Sequence, residues 1–206
     1  MGRGRHAGYD DQREAILAGA ARLFATQGYS ATSMNQVAEA CGLSKATLYH
    51  YYRDKYALLF SIADTHVERL QRIVGDAAQD TPAPQDALRA LIGRLVEAYA
   101  DAQDAHWVLT SEVRFLEPAD RQRILQRERA VVVAFAAVIA ALRPDLREAA
   151  VAKPLTMLLF GMVNWMFTWM KPGGALDHDA MAPLVADLFL GGLAAVRDPR
   201  PAATPA

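Results

Sequence analysis

Apolar positions recur every three or four residues through most of this chain, the spacing of helices that bury one face. Ile16, Ala20, Leu23 and Phe24 predict a first helix over 11–27, stopped by Gly28. Two short helices follow. Asp54 then caps a long one over 54–78 that carries Leu58, Leu59, Ile62 and Val67. Further helices are predicted over 85–103, 105–116, 119–142, 146–169 and 178–196, with TPAP at 81–84 as the clearest linker. The final stripe runs through Met181, Leu184, Val185, Leu188, Phe189, Gly192, Leu193 and Val196. The fold class predicted is all-α, and no internal repeat is evident.

The segment TSMNQVAEACGLSKATLYHYYRDK, 32–55, has the finest pattern. Ser33 with Gln36 forms a capping box, Val37, Ala38 and Cys41 share one face, and Gly42 supplies a sharp corner. Ser44 caps the next helix, and Leu43 and Leu48 stand at hydrophobic-staple positions. That helix buries mainly Leu48, with Tyr52 just beyond it. Lys45, Ala46, Thr47, Tyr49 and His50 are left pointing outward. A small, hydroxylic, aromatic and basic face suits a DNA major groove, so the segment reads as a helix-turn-helix. Thr32, Ser33 and Lys55 are expected at phosphates.

The order G-Y-x-x-T-S-x-x-x-V-A-x-x-x-G-L-S-x-A-T-L-Y-x-Y-Y-x-x-K, 28–55, resembles the N-terminal domain of TetR-family transcriptional regulators. The resemblance covers about the first quarter of the chain, and Tyr52 departs from the phenylalanine usual there. It implies an all-helical homodimer whose C-terminal domain holds a small ligand that releases DNA. The domains expected are a helix-turn-helix domain at 1–55, a ligand-binding and dimerisation domain at 56–196 and a disordered tail at 197–206.

Charge sharpens this picture. The net charge is −1, yet residues 1–60 carry seven Lys or Arg against five Asp or Glu. The excess is small, so affinity for double-stranded operator DNA must come from a few placed contacts, doubled in a dimer. Arg3 and Arg5 either reach DNA from an arm or belong to a solvated tail. The start, MGRGRHAGYDDQ, has no apolar run of a secretory signal. A single cysteine makes no internal disulfide, and the expected location is the cytoplasm.

LTMLLFGMVNWMFTWM, 155–170, is apolar all round but shorter than the roughly 20 residues a bilayer span needs. Burial between helices or in a subunit interface is expected, with no membrane partner. Leu155, Met181, Leu184, Val185, Leu188, Phe189, Gly192 and Leu193 are the dimerisation candidates. An ordinary protomer core is the other reading.

Catalytic chemistry has no candidate motif: the chain lacks a Walker loop, HExxH, GxSxG and paired CxxC. Cys41 reads as a small packed residue. His178 between Asp177 and Asp179 reads as a helix cap with solvated neighbours rather than a metal site. No enzyme activity, cofactor or metal is expected.

The tail NWMFTWMKPGGALDHDAMAPLVADLFLGGL, 164–193, and EVRFLEPADRQRI, 112–124, are similar to TetR-type regulators of CoA-linked catabolism. That resemblance implies a small hydrophobic effector such as an acyl-CoA. Met157, Phe160, Met162, Trp165, Met166 and Trp169 are expected around an apolar cavity. Arg114 and Arg121, with Arg123, Arg127 and Arg129, are expected at a phosphate-bearing head group. The competing reading is core packing for the apolar set, and for the arginines a solvated face paired with Glu128 and Asp120. The resulting expectation is a ligand-responsive repressor acting at a palindromic operator. The alternatives are a dimeric helical ligand-binding protein without DNA activity and, more remotely, a helical enzyme.

Overall fold

A computed structural model describes the backbone over 3–80, 83–146, 151–170 and 176–197, and side chains over 8–76, 83–146, 151–170 and 176–197. The linker predicted at 81–84 falls partly outside these residues. The predicted tail falls outside almost entirely, as do the side chains of Arg3 and Arg5. All regular elements among the described residues are helical.

In order they are α1 (Arg3–Gln27), α2 (Met34–Ala40), α3 (Lys45–Tyr51), α4 (Lys55–Asp80), α5 (Pro84–Asp101) and α6 (Gln103–Trp107). A π-helical turn (Val108–Glu112) and a 3-10 turn (Val113–Phe115) precede α7 (Pro118–Leu142). A 3-10 turn (Pro144–Leu146), α8 (Ala152–Trp169) and α9 (His178–Ala195) complete the chain. The continuous helix expected over 105–116 is therefore three short pieces. The last predicted stretch before 169 likewise divides into a 3-10 turn and α8, with 147–150 outside the described residues.

Backbone contacts divide the chain into two compact units, one of Met1–Glu68 with Ala102–Gln126, the other of Arg69–Asp101 with Arg127–Ala206. In the first unit, Ile16, Ala20 and Phe24 of α1 are fully buried, together with Val37, Leu48, Leu58 and Leu59. Gly28 ends α1 with φ of +85° and donates its N–H to the Phe24 carbonyl at 3.0 Å. A left-handed residue there exposes the helix to a turn that residues with a Cβ resist. Gly42, with φ of +65°, closes α2 the same way. Its N–H donates to Glu39 O at 3.0 Å and that of Leu43 to Ala38 O at 2.9 Å, the paired bonds of a Schellman end.

In the second unit, α5 buries Leu88, Leu91, Ile92, Leu95, Val96 and Tyr99. It packs against α9, where Val185, Ala186, Phe189 and Leu193 are buried. Arg89 on α5 pairs with Asp187 on α9 at 2.6 Å. The Arg143 guanidinium closes the far end of α9 by donating to Leu193 O, and to Val196 O at 2.9 Å. Those are carbonyls a helix terminus leaves without partners.

Candidate functional site

The reading face is built by caps at both ends of a tight corner. Ser33 Oγ accepts the Gln36 N–H at 3.3 Å while Gln36 Oε1 accepts the Ser33 N–H at 2.8 Å, a complete capping box. Ser44 Oγ accepts the Thr47 N–H at 3.0 Å and starts α3. Within α3 only Leu48 is buried; Lys45, Ala46, Thr47, Tyr49 and His50 are exposed. Lys45 Nζ lies 5.9 Å from the Tyr49 ring centroid, joining a cation and an aromatic on one surface. The structure thus brings these five residues together on one seven-residue helix.

Two of the expected phosphate contacts do not survive the geometry. Thr32 is buried, its hydroxyl donating to Gly28 O at 2.9 Å and accepting from Gln27 Nε2 at 3.1 Å. Lys55 directs its ammonium to three carbonyls, Tyr29 O at 2.9 Å, Ser30 O at 3.1 Å and Thr32 O at 3.0 Å. An ammonium has three protons, so none is left for a phosphate. Lys55 also stands 4.5 Å over the Tyr29 ring. It is a clamp on the turn before α2. Ser33 remains exposed.

Tyr52 is buried, and its phenolic oxygen accepts from Arg13 Nε at 3.4 Å. That bond and the phenol's charge hold the Arg13 pKa above its ordinary value. Tyr9 stacks on Tyr51 with centroids 4.8 Å apart, so α1 grips the C-terminal end of α3 at two points. The α1–α2 approach is equally close: a Cβ on Gly19 would lie 2.6 Å from Cys41 Sγ. Burial pushes the Cys41 thiol pKa up, which suits a packed residue.

Sequence reasoning missed a second set in this unit. Glu112, held inward by the π-helical turn, accepts the Tyr29 N–H at 3.0 Å. Tyr56 donates its hydroxyl to Asp120 at 2.7 Å and accepts the Glu117 N–H at 3.2 Å. No local pattern announces a π-turn, so Glu112 carried no signal.

The ligand-binding candidates separate. Phe160 and Met166 are buried in the second unit and Met162 is half-buried. Met157, Trp165 and Trp169 do not line an interior cavity: they are 51%, 68% and 54% exposed along one face of α8, beside Leu158. The cause is periodicity, since 157, 165 and 169 differ by multiples of four and turn away together from Leu155, Leu159 and Val163. Arg114 and Arg121 are exposed and belong to the other unit, Arg114 lying 3.7 Å from Glu112 and against the Phe115 ring. Glu128, expected on a solvated face with arginines, is half-buried, and desolvation raises its pKa.

The dimerisation candidates separate too. Leu155, Val185, Phe189 and Leu193 are core residues of the protomer, and Met181 is half-buried. Leu184, Leu188 and Gly192 face outward on α9, which packs against α8. Among the described residues no cluster of three or more metal-ligating side chains occurs, and no helix is long and apolar enough to cross a membrane.

Residues 16–62 match the family described as bacterial regulatory proteins, tetR family, and 81–193 match the tetracyclin repressor-like C-terminal domain. The chain belongs to the TetR family. These regulators are not enzymes. A TetR-family transcriptional regulator from Bordetella parapertussis has the same fold, with a TM-score of 0.83 and 33% identity over 90% of this chain and 97% of that one. AibR, solved in complex with isovaleryl coenzyme A and operator DNA, superposes with a TM-score of 0.75 and 27% identity, covering 86% and 97%. The transcriptional repressor KstR2 of Mycobacterium tuberculosis is 25% identical over 89% of this chain and 94% of its own length. The chain spans only 36% and 43% of two further curated HTH-type regulators, matched at 30% and 34% identity.

Proposed function

We propose that this TetR-family protein is a homodimeric repressor that reads a palindromic operator through α3 and leaves it when a small hydrophobic effector binds. The observation that carries the reading is α3 itself, anchored by Leu48 alone with Lys45, Ala46, Thr47, Tyr49 and His50 exposed. A short helix with one buried anchor and a mixed basic, aromatic and hydroxylic face fits the major groove. Lys45, Ala46, Thr47, Tyr49 and His50 read bases, and Ser33 meets the backbone at the start of α2.

The dimer surface is the outward face of α8 and α9, carried by Met157, Leu158, Trp165, Trp169, Leu184 and Leu188. Apolar side chains this large and this exposed on two adjoining helices mark an association surface. A two-fold axis through it would set two α3 helices against matching half-sites.

The effector binds the second unit, where Phe160 and Met166 lie inward. The kinship to AibR, whose complex holds isovaleryl coenzyme A and operator DNA, supports an acyl-CoA thioester. Release requires that the effector prefer the form that does not fit the operator. The test is a gel-shift with DNA flanking the protein's own gene, titrated with acyl-CoAs, their free acids and CoA alone. A shift reversed by thioesters and not by CoA is expected; absence of any shift overturns the regulatory reading.

A further inference from the structure

The residue that closes α3 carries an oxygen that packing alone does not require. Tyr52 ends that helix, donating its N–H to Leu48 O at 2.9 Å, and its ring is buried. Phenylalanine, usual at this position in the family, would fill the same space. Among the described residues the added hydroxyl has one partner. It accepts the Nε proton of Arg13 at 3.4 Å, while the guanidinium carbon stands 5.9 Å from the ring centroid. The oxygen serves an arginine and not the core.

Arg13 itself is exposed. On α1, Ile16, Ala20 and Phe24 are fully buried, and Arg13 and Tyr9 occupy the next positions of the same face, at spacings of three and four residues. Tyr9 stacks on Tyr51 with ring centroids 4.8 Å apart. The face of α1 that packs the core therefore continues along the C-terminal end of α3, and Arg13 is set there. A bond to Nε fixes the plane of the guanidinium and leaves the other four protons, on its two terminal nitrogens. Asp10, one turn earlier, acts on Arg13 through its charge alone. Arg53, directly after Tyr52, adds a second exposed cation, in a surface pair with Asp54 at 3.3 Å.

When a recognition helix lies in a major groove its outward face reads bases, and its C-terminal end emerges beside the phosphates of one strand. We infer that Arg13 contacts the DNA backbone, gripping one phosphate at the edge of the groove read by α3, and that the Tyr52 hydroxyl orients it for this. The inference rests on the operator-reading proposal. It adds what that reading lacks, a cation placed for a phosphate, since the Lys55 ammonium and the Thr32 hydroxyl are engaged within the protein. A guanidinium suits the task because its planar fork matches two phosphate oxygens, where an ammonium offers a point charge.

The experiment measures binding of the full-length protein to two duplexes over a range of salt, one flanking its own gene and one of scrambled sequence and equal length. Arg13→Gln should weaken both by about tenfold or more and flatten the salt dependence by about one unit in each half-site, at a melting temperature close to wild type. Arg13→Lys keeps the charge without the fork, and Tyr52→Phe keeps the fork without its alignment. Each should retain the wild-type slope and bind a few-fold more weakly. In the Arg13→Gln background, Tyr52→Phe should weaken binding no further. A bond that serves folding alone would lower the melting temperature in both variants and leave the slope unchanged. An unchanged slope in Arg13→Gln, or the same loss from Tyr52→Phe with and without Arg13, overturns the inference. If the wild type shifts neither duplex, the operator-reading proposal falls and this one with it. If it shifts the flanking duplex while Arg13→Gln keeps the slope, only this one falls.

Discussion

Glu112 accepts the main-chain N–H of Tyr29 at 3.0 Å, across 83 positions of sequence. The carboxylate is 6% exposed, and its other oxygen lies 3.7 Å from Arg114. Tyr29 begins the turn that Lys55 clamps, so this bond fixes the loop from which α2 starts. Removing the acceptor leaves a part-buried N–H unanswered. Glu112→Ala should therefore lose about 1–3 kcal/mol in denaturant unfolding, whereas Glu112→Gln keeps an accepting oxygen and should lose less. An unshifted midpoint in Glu112→Ala would show that the bond contributes nothing.

Lys55 gives a sharper contrast between two roles. As a phosphate contact it would add to the salt dependence of DNA binding, and its loss would flatten the slope by about one unit per contact in each half-site. As a carbonyl clamp it shapes the turn and adds nothing to that slope. Lys55→Met should lower the melting temperature and weaken all operator sequences alike while the slope stays as in wild type. A flattened slope at an unchanged melting temperature would restore the phosphate role.

The corner before α3 was legible because its signals are local: Ser33 with Gln36, Gly42 and Ser44 each act within a few residues. Leu48 was legible for the same reason, as the lone inward position on a seven-residue helix. Lys55 was misread because its partners, the carbonyls of Tyr29, Ser30 and Thr32, are set by the fold and not by sequence pattern, and Thr32 because its hydroxyl is taken up by Gly28 O and Gln27 within the turn. Glu112 depends on a π-helical turn, which shifts the register of a segment that otherwise reads as helix. On α8 the residue types misled. Trp165, Trp169 and Met157 are apolar enough for a core, and on a helix apolar all round residue type alone does not tell a core face from an association face. Glu128 did leave a trace: it stands four residues after Ile124 and three before Val131, on the buried stripe.

The outward face of α3 should control sequence preference independently of stability. Tyr49→Ala and Thr47→Ala alter exposed side chains, so unfolding should shift by no more than about 0.5 kcal/mol. Each lost base contact should cost about 1–3 kcal/mol at the matched position, read as relaxed selectivity in a competition gel-shift. Retained affinity and selectivity in both variants would remove α3 from the groove.

Leu188 and Leu193 lie five residues apart on α9 yet should respond differently to arginine. Leu188 is 68% exposed and Leu193 is 4% exposed. Leu188→Arg places charge on the association face, so sedimentation should report a folded, helical monomer that no longer shifts operator DNA. Leu193→Arg buries an uncompensated charge in the protomer, at a cost of several kcal/mol, and should reduce soluble yield. An intact dimer in Leu188→Arg would move the interface elsewhere.

Glu128 makes a pH signature that can be read without any ligand. Its pKa is raised in the folded protein from an ordinary value of 4.5, because burial penalises the carboxylate. Unfolding restores the ordinary value. As pH rises past it, the unfolded chain releases this proton while the folded chain still holds it. Stability from this group therefore declines with rising pH, starting near the unfolded pKa and levelling off once the folded pKa is passed. Below both values the group is protonated in each state and contributes no penalty. Facing it from α5 is the Tyr99 phenol, whose own pKa is driven up by burial and by Glu128, so Tyr99 stays neutral throughout this window. Glu128→Gln carries no titrating group at this position. Chemical unfolding of the pair across the acid to neutral range should then give a difference that grows in favour of the glutamine variant as pH rises and vanishes at the acid end. A difference constant with pH would place the Glu128 carboxylate in water rather than in the helical layer.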